Sequence, residues 1–111
     1  MSRFTFRMED HYLCVVRGDT LSFGLEFEGL SQDLSSATFN VKKNYADTAT
    51  TFSLALGGGI TKKSDGKYVV RVPPSYTANL EAGKFFYDLT ITVNGDVFTI
   101  LRGVFEILPN V

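Results

Sequence analysis

The chain has 111 residues, 44% of them hydrophobic, which fits one compact domain with a real core rather than two. Eleven Lys and Arg against twelve Asp and Glu give a formal net charge of -1, spread without any long like-charge run; this excludes the basic stripe on which nucleic-acid binding depends. A single cysteine, Cys14, excludes an internal disulfide framework, so ten Phe and five Tyr with no Trp must supply the burial, each ring removing about 150–250 Å² from water.

The opening MSRFTFRMEDHY has no apolar signal segment, and no run approaches the roughly 18 apolar residues of a membrane helix. The expectation is synthesis in a reducing cytoplasm with neither signal peptide nor membrane span. Apolar residues alternate with period two almost throughout, and no window keeps a 3.6-residue stripe, so strands dominate. Phe4, Phe6 and Met8 alternate first. After the break at Glu9-Asp10-His11, Leu13 to Val16 form a second run; the two are either halves of one strand or two short strands. Thr20 to Glu28 sets Leu21, Phe23, Leu25 and Phe27 on one face, as in a half-buried strand. Ala37, Phe39 and Val41 mark the next strand, and Phe52, Leu54 and Leu56 the one after.

Gly57-Gly58-Gly59 breaks the chain, and Lys62 to Gly66 ends in a turn before Tyr68, Val70 and Val72 alternate again. Pro73-Pro74 ends that strand. Ser75 to Ala82 is the only helical piece, one or two turns near residues 76–82, with Thr77 as its N-cap and Gly83 as its stop. From Leu80 to Pro109 two long strands flank Asn94-Gly95, both positions of which tolerate the φ > 0 of a two-residue hairpin turn. Val93 then faces Asp96 and Ile91 faces Phe98. Phe105 and Ile107 have the opposite parity to Phe98 and Ile100, so one inserted residue is needed, and Arg102-Gly103 is the predicted bulge.

Seven or eight short strands without intervening helices predict an all-β, antiparallel immunoglobulin-like β-sandwich over residues 1–111. Tyr87, or Phe86 by packing, sits where such domains place a tyrosine near the start of the penultimate strand. The disulfide and core Trp of antibody-type domains are absent, which favours an immunoglobulin-like or fibronectin-like relative over a true antibody-type domain.

Little chemistry is visible. His11, the only histidine, lies in a polar break beside Glu9 and Asp10 and reads as a solvated loop residue rather than an acid–base catalyst. Cys14 and His11 are too few for a structural zinc site. Asp33, Asp47, Asp65, Asp88 and Asp96 show no calcium-loop spacing, though the fold could bring them together. Gly57-Gly58-Gly59 lacks the Gly-Lys-Ser/Thr of a phosphate loop. Arg17-Gly18-Asp19 reads as a tight turn before the Thr20 strand rather than a receptor motif. Tyr12, Tyr45, Tyr76 and Phe86 are candidates for saccharide stacking, with core or corner packing the simpler reading. Cys14 is expected to be buried, and Lys42-Lys43 and Lys62-Lys63 to be solvated ends and tips. No catalytic, cofactor-binding or metal-binding residue is assigned, and no cofactor.

Arg17-Gly18-Asp19-Thr20 opening an alternating strand, Ala37 to Lys43, Leu80-x-x-Gly83-x-x-x-Tyr87-Asp88-Leu89 and the closing Gly103-Val104-Phe105-Glu106-Ile107-x-Pro109 together resemble small immunoglobulin-like virion proteins of tailed phages and prophages. The N-terminal domains of baseplate upper proteins are among them. The resemblance runs from Arg17 to the C-terminus. It implies a non-catalytic structural or accessory protein of tail, baseplate or capsid, located in the virion and acting on other virion proteins or on itself, with neither nucleic acid nor membrane as partner. A homo-oligomer formed through the Phe4 strand or the Phe52 strand is one form this could take. A carbohydrate-binding module with saccharide as partner is the alternative, and an enzyme, which would need His11, a third.

Overall fold

A computed structural model describes residues 4–8, 12–30 and 32–110. It holds nine strands and one short helix: β1 Thr5–Arg7, β2 Leu13–Val16, β3 Leu21–Glu28, β4 Ser36–Lys42, β5 Phe52–Leu56, β6 Gly59–Ser64, β7 Lys67–Val72, α1 Pro74–Ala78, β8 Gly83–Val93 and β9 Asp96–Leu108. The strands form one hydrogen-bonded sheet in the order β1-β3-β7-β6-β5-β4-β8-β9-β2. The sheet curls into two layers, β1-β3-β7-β6 against β5-β4-β8-β9-β2. Ring contacts across the gap, Phe23 on Phe39 at 5.5 Å and Phe4 on Phe98 at 5.3 Å, mark the faces that meet. This is an immunoglobulin-like β-sandwich.

The extra strands relative to the seven or eight expected have two sources. The first apolar runs are separate strands on different layers: β1 pairs antiparallel with β3, and β2 pairs parallel with β9. The triglycine also does more than interrupt. Gly57 and Gly58 turn a corner in which Ala55 N–H donates to the Gly58 carbonyl and Gly57 N–H to that of Ile60, and β6 starts at Gly59, beside Ala55 of β5. Gly59 has φ +109, and a Cβ there would lie 2.6 Å from Leu54 Cδ2, so only glycine fits the corner.

The long hairpin has the predicted turn and register. Asn94 has φ 52 and Gly95 φ 83, with Val93 opposite Asp96 and Ile91 opposite Phe98. The predicted inserted residue is present, but not at Arg102-Gly103. Leu89 pairs with Leu101 and Thr90 with Thr99, so Ile100 is the extra residue, while Gly103 sits regularly opposite Tyr87. Shifting phase at Ile100 lets Leu101 enter the core as well as Phe105 and Ile107.

The helix is also displaced from its predicted span. Pro74 at its first turn fixes φ for entry, so α1 begins at the prolines and ends at Ala78, with Pro73 as the N-cap residue. Thr77 is therefore not the cap; it lies inside the helix, fully buried, and Gly83 opens β8 instead of stopping the helix.

Phe39 occupies the centre of the core. It is fully buried and touches Phe23, Tyr87 and Phe105 at ring separations of 5.5, 5.3 and 6.2 Å. Leu25, Ile60, Val70, Leu89 and Ile91 complete the interior from both layers. Burial of this kind stabilises by about 25 cal/mol per Å² of apolar surface, which is why a chain without a disulfide can close two layers. Among the described residues no helix is long and apolar enough to cross a membrane.

Candidate functional site

Three places on this scaffold are candidates for a functional surface: the outer face of the β5-β4-β8-β9-β2 layer, a groove beside β3, and the two ends of the sheet.

On the outer face, strand pairing sets polar residues side by side. Thr38 lies opposite Thr90, and Thr90 opposite Thr99, with the last two hydroxyls 3.3 Å apart. One row along, Asn40 Nδ2 donates to Asp88 Oδ1 at 3.0 Å, and Arg102 stands on the far side of Asp88. The loop after β4 folds over this row. Tyr45 stacks on Phe86 at 4.2 Å with the Arg102 guanidinium 5.6 Å from its ring centre, and its hydroxyl donates to the Gly103 carbonyl at 3.4 Å. Asp47 steadies the loop by accepting the Asn44 N–H.

The four aromatics named as possible stacking residues do not converge. Tyr45 and Phe86 form the pair just described, Tyr76 packs edge-on against Phe52, and Tyr12 lies beside β2 with its hydroxyl donating to Glu106. Tyr12, Tyr45 and Tyr76 are exposed at 43, 50 and 38%.

The groove has a volume of about 810 Å³ and follows β3 where β1 no longer covers it, since β1 pairs only with Glu26, Phe27 and Glu28. Met8, Leu13 and Phe23 form its apolar floor, with Arg7 and Glu26 on the rim. Its walls come from segments distant in sequence.

At the sheet ends, β1 and β2 each have a neighbour on one side alone among the described residues. Of the two strands expected to carry self-association, the Phe4 strand is the end strand β1, whereas the Phe52 strand β5 lies between β4 and β6, its pairing with β6 confined to Ala55 and Leu56. The expectation that Cys14 is buried is corrected. In β2 it is Leu13 and Val15 that point inward, and Cys14 is exposed. An unbroken run of four apolar residues carries no phase, so either parity fits the sequence.

Arg17-Gly18-Asp19 forms the expected tight turn, with Asp19 N–H donating to the Val16 carbonyl and Gly18 at φ 86. Arg17 is tied to neighbouring segments: its guanidinium donates to the Leu80 carbonyl at 3.4 Å and to Asn110 Oδ1 at 2.8 Å. Gly18 N–H donates to the buried Thr77 hydroxyl at 2.9 Å, so the turn is bolted to α1.

Lys62 is more than a solvated tip. Its ammonium lies 2.8 Å from Asp33 and 3.2 Å from Asp65 and joins the β3–β4 loop to the β6–β7 turn. The hydrogen bond to Asp33 first, and then that to Asp65, holds its pKa above the ordinary 10.5. The Asp65 contact is a local pairing three residues away; Asp33 gave no sign of it. The remaining aspartates are apart, Asp47 in the loop after β4, Asp88 on β8 and Asp96 at the hairpin turn. Among the described residues no three His, Cys, Asp or Glu side chains lie close enough to hold a metal ion. Glu9, Asp10 and His11 lie outside the described residues.

No family model matches the chain, and no curated protein matches it in sequence. Its backbone is similar to the solved structure of murine CRIg, an immunoglobulin-like domain, with a TM-score of 0.57 over 98% of this chain and 99% of that one, at 10% sequence identity. The likeness is one of fold.

Proposed function

We propose that this chain is a non-catalytic structural or accessory protein of a phage or prophage virion, docking on tail, baseplate or capsid neighbours through protein–protein contacts. The observation that supports this reading is a sheet left unclosed among the described residues. Its ends present backbone to which a neighbour's strand can add, the common route by which sandwich domains join larger assemblies. The residues that resemble virion proteins hold scaffold positions here: Arg17 to Thr20 form the turn into β3, and Gly103 to Pro109 finish β9 beside β2.

The test is mass spectrometry of particles purified from a host carrying the gene, after density-gradient separation and a high-salt wash. The reading predicts the chain in the particle fraction at a fixed ratio to a major capsid or tail protein. Recovery only in the soluble fraction contradicts it.

A second reading, saccharide binding, draws support from Tyr45 and Phe86 beside Asn40, Asp88 and Arg102, an aromatic surface next to hydrogen-bonding groups. A glycan array decides it: binding that disappears in Tyr45→Ala favours a saccharide, and an empty array removes the reading.

A further inference from the structure

We propose that β2 is a homodimer edge: two copies of this chain join by antiparallel pairing of Leu13–Val16 about a twofold axis at Cys14, which continues the five-stranded layer into the second copy.

The two sheet ends differ in how they are defended. β1 is three residues long and carries Arg7, a charge of the kind that discourages strand addition. β2 reads Leu-Cys-Val-Val, has neither charge nor proline, and is held by β9 on one side while no described strand covers the other. An edge without such protection is a template for another strand.

The pattern of β2 also fits a second copy of itself. In an antiparallel pair, residues directly opposite point to the same side of the sheet. With Cys14 opposite its own copy, Leu13 lies opposite Val15 and Tyr12 opposite Val16. The inward pair continues the two cores, and the outward set of Tyr12, Cys14 and Val16 carries no charge, with Tyr12 and Cys14 exposed and Val16 half-buried. No like charges meet along these pairs, and a net charge of -1 leaves two copies little reason to repel. A four-residue edge is a small contact, so the dimer is weak and concentration-dependent. The inference stands apart from the virion reading, because a self-pairing edge needs no other partner.

Cys14 is the only cysteine, so it reports the axis directly. Opposite residues in such a pair have Cα atoms about 4.5–5.5 Å apart, within the range a disulfide spans. Sedimentation of the reduced chain over a concentration series reads the dimer. Treatment with diamide reads the register: two thiols give up two electrons and two protons to one diamide, which becomes the hydrazine, and one S–S bond forms. The expected result is reversible dimerisation, disulfide formation in the dimer, and a dissociation constant raised at least about fivefold in Cys14→Lys, which sets like charges opposite each other. Cys14→Ser keeps the dimer. Val16→Lys, also outward, replaces Cys14→Lys if circular dichroism shows that the latter does not fold. A chain that stays monomeric, a dimer indifferent to the lysine, or a dimer in which Cys14 does not cross-link overturns the proposal.

Discussion

The hydroxyl of Tyr68 accepts the backbone N–H of Leu34 at 3.1 Å, in a place where both residues are buried. Tyr68 belongs to β7 and Leu34 to the loop that carries the chain from β3 in one layer to β4 in the other. This bond therefore fixes where the crossing segment lies. Tyr68→Phe keeps the ring and its contact with Phe27 but leaves the Leu34 amide without a partner. The expected loss is about 1–3 kcal/mol, the cost of an orphaned buried donor, read as a lower urea midpoint at unchanged slope.

Thr77 does for the Arg17-Gly18-Asp19 turn what Tyr68 does for the loop. Thr77→Val preserves shape and removes the acceptor for Gly18 N–H, and about 1 kcal/mol should go with it. Thr77→Ser retains the oxygen and should lie closer to the parent chain. Thermal melts of the two variants distinguish a hydrogen-bond effect from simple packing.

Gly66 and Gly95 both have positive φ, +75 and +83, yet alanine should affect them differently. A Cβ on Gly66 falls 2.4 Å from the Phe27 carbonyl oxygen, next to the bond in which Phe27 N–H donates to the Gly66 carbonyl. At Gly95 nothing lies within 4 Å. Gly95→Ala should cost about 1 kcal/mol from backbone strain alone, and Gly66→Ala clearly more, because β3 and the turn must separate. Equal melting temperatures for the two would contradict the packing described for this turn.

Lys62 supplies a pH signature. Its hydrogen bonds to Asp33 and Asp65 favour the charged ammonium and raise its folded pKa above 10.5. A raised pKa means the group's contribution is complete below its unfolded value and fades as pH climbs through the folded one. The stability gap between the parent and Lys62→Met should therefore be level from neutral pH to near 10.5 and close above it. Because the three groups are exposed, the gap should be small and should shrink with added salt. Paired denaturation curves across pH and salt check both statements.

What the sequence reveals here is mostly local. The Asn94-Gly95 hairpin and its register follow from two turn residues and the alternation beside them, and the faces of β3 and β4 follow from period two. The need for one extra residue in β9 was legible from parity, but its position depends on which partner residues fill the core opposite, so Ile100 took it rather than Gly103. The orientation of Cys14 was hidden by an all-apolar run. Pairings between distant segments, such as β2 with β9 and Lys62 with Asp33, leave no periodic trace, and the open edge and the groove beside β3 depend on them. Tyr45 and Phe86 are visible in the sequence as separate aromatic candidates, but their stacking on each other and their assembly with Arg102 depend on the fold.

The central claim is that β1 and β2 belong to different layers, with β2 at an end of the sheet among the described residues. Nuclear Overhauser contacts in the labelled monomer test it most directly. Contacts from Phe6 to Phe27 together with a parallel set from Leu13 and Val15 to Phe105 and Ile107 are the predicted result. Contacts pairing Leu13–Val16 with β3, as one continuous first strand would give, contradict it.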